Sequence, residues 1–139
     1  VELSITWPPV VVAIVAGMAI AWIWYSDWGL VGGTWRKLTG VTKEDSARGG
    51  KQPFVVLVAS IVVTALALAA ASSIASGFFA TNSFWVAPAV GFVAWLGFSL
   101  STLAQHNGFE QKPARLTVIN SAYQLVLFVG MAVPIGLLQ

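Results

Sequence analysis

Four long apolar runs, at about 6–25, 54–77, 85–105 and 116–138, alternate with a long polar stretch, an uncharged turn and a short charged turn. None of the runs holds a charged side chain, and each is close to the roughly 20 residues that a helix needs to cross the hydrocarbon core. The pattern predicts an all-α, polytopic membrane protein. It is read as one domain over 1–139, four transmembrane helices in an up-down bundle, with loops 26–52 and 106–115 on one side. Local signals agree with these bounds. Pro8, Pro9 and Pro53 fall in first turns, where a missing amide proton costs little. Thr81, Asn82 and Ser83 precede the third run as candidate caps. Gly130 stands four residues before Pro134, where the proline ring meets no side chain.

Within the runs, small residues recur at helical spacing. Ala13, Gly17 and Ala21 form one stripe, and Ala65, Ala69, Ser73 and Gly77 form another, both suited to close approach of a second helix. The long loop divides in two. Trp28, Leu30, Val31, Trp35 and Leu38 mixed with Arg36 and Lys37 predict an interfacial helical segment, rings down and basic heads towards lipid phosphates. Thr42-Lys43-Glu44-Asp45 then resembles a capping box for a short helix.

Composition narrows the class further. The chain is 58% hydrophobic and 9% charged, against roughly 25% charged residues in soluble domains. It contains no cysteine, which excludes disulfides, thiolate metal sites and thiol redox chemistry. Val1-Glu2 leads into the first run without the basic stretch and cleavage site of a signal peptide, so that run is read as a span. All seven Lys and Arg residues lie in the 26–52 and 106–115 loops. The positive-inside rule therefore expects both termini outside and both loops in the cytoplasm, in a multi-pass protein of the inner membrane. Aromatic residues at the run ends, such as Trp7 and Trp85 against Trp22 and Phe54, fit two interfacial belts. The expected partners are the bilayer, further copies of the chain, or other subunits of a membrane complex. The basic residues are explained by topology and anionic lipid, so no nucleic acid is expected.

Candidate chemistry concentrates in the last two runs. On an α-helix Trp95, Ser99, Thr102 and His106 share a face, and so do Asn120, Tyr123 and Gln124. If the two helices are antiparallel, Gln124 comes level with Trp95 and Asn120 with Ser99. The Trp95 indole is then expected to donate to the side-chain oxygen of Gln124 or Asn120, with Tyr123 turned towards span one or two. This set is read either as interhelical glue, where contacts average about 0.6 kcal/mol, or as a polar ligand pocket. The spans carry no carboxylate of the kind that marks proton-coupled exporters. The single His106 lies near a helix end, where an interfacial role is expected rather than metal or haem ligation. No nucleophile elbow is recognisable, and no catalytic residue or cofactor is assigned.

Trp24-Tyr25-Ser26, Trp35 with Gly40, Trp95-Leu96-Gly97-Phe98, and Asn120 with Tyr123 together resemble the pattern of the family called domain of unknown function 1761. The resemblance covers nearly the whole chain and implies a small, four-helical bacterial membrane protein without established activity. Asp27-Trp28 departs from that pattern, which more usually has proline there. Three functions remain open. The leading expectation is a noncatalytic helical module, a homo-oligomer or an accessory subunit, contacting its partners through the small-residue stripes. The alternatives are a small oligomeric transporter or channel for an uncharged or weakly polar solute, and a binder of an apolar ligand. Whether any enzymatic activity exists stays open, with the residues leaning against it.

Overall fold

A computed structural model describes residues 2–139. Among them every regular element is helical: α1 Trp7–Tyr25, α2 Gly32–Thr39, α3 Lys43–Arg48, α4 Gln52–Phe78, α5 Val86–Ala94, a π-helical segment Trp95–Leu100, α6 Ser101–Phe109 and α7 Ala114–Leu138. The segments from Val86 to Phe109 run on as one helix, giving four helices long and apolar enough to cross a membrane.

The core forms around α7, which packs on α1, α4 and α5. Its fully buried Met131 and Ile135 meet Ile61 of α4 and Val10 and Ala13 of α1 in one apolar cluster. Directions follow from contact pairs. Tyr25 reaches Asn120, Ile20 faces Gly130, and a β-carbon on Gly17 would stand 2.9 Å from Met131 Sδ, so α1 and α7 are antiparallel. A β-carbon on Gly91 would lie 3.0 Å from the Phe128 carbonyl oxygen and one on Gly136 would lie 2.6 Å from that of Phe84, so α5 and α7 are antiparallel too. The bundle is up-down.

Small residues make these approaches. Ala13, Gly17 and Ala21 are buried, as are Ala65, Ala69 and Ser73, while Gly77 is exposed. From Ala13 to Ala21 and from Ala65 to Ser73 the stripes therefore serve contacts between helices of the same chain.

The end of α1 is closed by its own loop. Leu30 and Val31 amides donate to the Ile23 and Trp24 carbonyls at 2.9 and 3.1 Å. That fold-back brings backbone so near that a β-carbon on Gly29 or Gly32 would meet a carbonyl oxygen at 2.1 or 2.2 Å. Only glycine fits. Next, α2 packs on α1 and α7, with the Trp35 ring edge-on to Tyr25 at 6.0 Å. Arg36 donates to both Asp27 carboxylate oxygens, to the Val41 carbonyl and to Ser46 Oγ. At α3 the expected capping box is present: Thr42 Oγ1 accepts from the Asp45 amide and Asp45 Oδ2 from the Thr42 amide, each at 3.0 Å.

The third span departs from its predicted bounds of 85–105. It continues to Phe109, so the expected 106–115 loop shrinks to 110–113. The helix closes when Lys112 and Gln111 amides donate to the Asn107 and Gly108 carbonyls, with Gln111 left-handed at φ 55. That pairing satisfies orphan carbonyls of the last turn, a closure the Asn107-Gly108 pair does not announce in sequence.

Candidate functional site: a lateral groove

The π segment decides which residues of the third span face the bundle. An added residue per turn rotates everything beyond it relative to an unbroken α-helix. The inward positions accordingly become Ala87, Gly91 and Trp95, then Ser99, Leu103 and Asn107, while Thr102 and His106 are exposed. The expectation that Trp95, Ser99, Thr102 and His106 share one face is corrected: it assumed 3.6 residues per turn throughout. Ser101 and Thr102 hydroxyls donate back to the Gly97 and Phe98 carbonyls at 2.6 Å, bonds of a kind that bend helices, and Gly97 adds no side chain to resist.

Nor does the Trp95 indole reach a side chain. Its Nε1–H donates to the Ser121 backbone carbonyl at 2.8 Å, using the second lone pair of a helical carbonyl. Asn120 is engaged elsewhere: its Oδ1 accepts the Tyr25 hydroxyl at 2.5 Å. Tyr123 turns to α1, its ring 4.8 Å from Tyr25 and 6.4 Å from Trp24. The expected cluster thus separates into a Tyr25–Asn120–Tyr123 knot, a Trp95–Ser121 clasp, and a remainder of Ser99, Thr102 and Gln124.

That remainder lines an opening. α4 packs on α5, but among the described residues no Cα of α4 comes within 8 Å of one in the π segment or α6. The two spans therefore part over α7. Two adjoining hollows of about 310 Å3 each occupy the gap. One runs from Pro53, Val56 and Leu57 past Ser60 and Ile61 to Tyr123 and Leu127. The other lies among Phe98, Ser99, Thr102, Leu103 and Phe128. Thr64 and Gln124 border both, so they form one groove. Gln124 lies ten residues into the 25-residue α7, roughly 15 Å along it at 1.5 Å per residue.

The hydrogen bonds around this groove are unevenly used. Ser60, Thr64 and Thr102 hydroxyls already donate to carbonyls of their own helices at 2.6 to 2.8 Å. The Gln124 amide, half-buried on the groove floor, makes no hydrogen bond among the described residues; nearby Asn120, Thr64, Trp95 and Thr102 are bonded elsewhere, while the Ser99 hydroxyl on the same hollow is not engaged either. In hydrocarbon such an amide is costly until something pairs with it. No charged side chain lines either hollow. The charges gather instead at the loop end, where the Arg36 hydrogen bond holds the Asp27 carboxyl below the usual carboxylate range and Lys112 does the same for Glu110.

A family model described as "Protein of unknown function (DUF1761)" matches residues 8–136. The chain belongs to the DUF1761 family. The match spans all four long helices and so includes the groove of this DUF1761 member. No curated protein and no solved structure matches the chain.

Sequence reasoning missed Thr64 and Phe98 in the groove of this DUF1761 member and, outside the groove, the inward placement of Tyr25 and Asn107. Tyr25 reads as an interfacial ring, yet it points inward to Asn120. Asn107 reads as loop, yet it is buried and donates to Thr117 Oγ1 at 3.0 Å. Thr64 and Phe98 give no signal, because their place depends on how far two spans diverge.

Proposed function

We propose that this protein is a noncatalytic module of the bacterial inner membrane that works by binding, with the groove between α4 and the π segment and α6 as its site. The observation that carries this reading is the Gln124 amide, without a hydrogen-bond partner among the described residues and at the floor of a groove that opens sideways. Filling of the bundle centre by Ile61, Met131 and Ile135 favours binding over conduction through one chain. Burial of the small-residue stripes within the chain, Gly77 excepted, favours a ligand in the groove over assembly along those stripes. The test is excision of the protein in its native lipid, followed by mass analysis of what travels with it. A molecule retained by the wild type and depleted from Gln124→Leu is expected; the same contents in both would overturn the proposal.

The proposed orientation has both termini outside, α2 in the cytoplasmic interface, and Lys37, Lys43 and Arg115 among the cations facing anionic lipid. Its support is the gathering of all seven Lys and Arg residues at the end opposite the 79–85 turn. A cysteine at Lys43 should then react only with membrane-permeant reagents in intact cells, and one at Asn82 with impermeant ones. Reversed labelling would invert the topology.

A further inference from the structure

We infer that the occupant of the groove is a neutral, lipid-soluble ring bearing carbonyl or hydroxyl groups, the chemistry of the quinones and quinols, with a ring oxygen on the Gln124 amide. The inference rests on the binding role proposed above and names its ligand class. Each part of the groove removes an alternative. The lining carries no charge, so a phosphate or carboxylate headgroup would be desolvated there without a counter-ion. A plain acyl chain offers the amide nothing. A helix from a second chain, the remaining occupant, is separated by the experiment below.

A ring with oxygens meets the remaining requirements. Phe98 and Phe128 supply aromatic surface in one hollow, and the buried Tyr123 only borders the other. Between them the Gln124 amide offers both an N–H to a carbonyl and an oxygen to a hydroxyl. The Thr64 and Thr102 hydroxyls, already donating within their helices, keep oxygens that can accept from a quinol. Pro53, Val56 and Leu57 continue the groove towards the loop end of α4 as an apolar track for a tail. The combined hollows fall within the roughly 300–1,000 Å3 of small-molecule sites, which pair apolar and aromatic walls with a few polar groups.

The experiment is native mass spectrometry of the detergent-solubilised full chain titrated with decylubiquinone, and separately with 1-dodecanol. A saturable one-to-one decylubiquinone adduct is expected. Gln124→Leu should weaken it about tenfold, the scale of one hydrogen bond to a neutral group, and Thr64→Phe should do so by filling the groove from the facing wall. Val11→Ala, on an exposed face of α1, should leave it unchanged. Helix content and melting are followed for each variant, and because the two changes act on different helices, loss of one fold leaves the other to decide. An adduct insensitive to both groove substitutions would overturn the ligand assignment as mere partitioning. Saturable, groove-dependent binding of dodecanol without decylubiquinone would overturn the ring chemistry and keep the binding role. Absence of either adduct, with a dimer that Gln124→Leu dissolves, would overturn both.

Discussion

Arg36 makes four hydrogen bonds, two to Asp27 and one each to Val41 and Ser46, so one side chain joins the end of α1 to the start of α3. Such planar, several-pronged pairing is what guanidinium does and an ammonium does not. Because the bond to Arg36 depresses the Asp27 carboxyl, the sign of its pH dependence is fixed. The pair contributes fully above the ordinary carboxylate value of about 4, and its contribution is lost as pH falls through the depressed value. Wild type should therefore melt above Asp27→Asn at pH 7, with the difference closing as the pH drops below about 4. A difference unchanged between neutral and strongly acidic pH would contradict this. At the residue scale the sequence told most where chemistry is local. The Thr42–Asp45 box needs only neighbours three apart, whereas the pairing of Arg36 with Asp27 needs a fold-back that Gly29 and Gly32 permit but do not announce.

The helices themselves were legible because length and apolarity suffice to define a span: each run holds one, the third continuing past its expected end to Phe109. Which face each helix presents was legible only where the period is regular. In α1 and α4 the four-residue spacing of Ala13, Gly17, Ala21, Ala65 and Ala69 does mark buried positions. In the third span the π segment from Trp95 to Leu100 shifts the register, exchanging His106 for Asn107 on the buried side. Hydroxyls at 101 and 102 after a glycine at 97 accompany that break, but the same residues also occur in unbroken helices, so sequence could not decide. Helix spacing sets the Trp95 indole at the right depth but not its acceptor, which is the Ser121 carbonyl and not a side chain. Backbone carbonyls inside a helix still accept, and a sequence displays only side chains.

At the scale of the molecule, three spans around α7 leave one face incomplete. α1 and the upper part of α5 close on α7 through glycine and alanine contacts, while α4 diverges from the π segment and α6. The resulting groove collects Ser99, Thr102 and Gln124 from the candidate set and adds Ser60, Thr64, Phe98 and Phe128. Divergence of two spans is a property of the whole packing and has no local signature. The absence of native cysteine makes the most direct test simple: a single nitroxide on Thr64→Cys in bilayers, with Val63→Cys, on an exposed lipid-facing position, as reference. An open groove predicts a mobile Thr64 label that oxygen reaches about as well as the Val63 label, and that decylubiquinone immobilises. A Thr64 label that is rigid and sheltered from oxygen without any ligand would mean that α4 packs against the third span along its whole length, and that the groove does not exist.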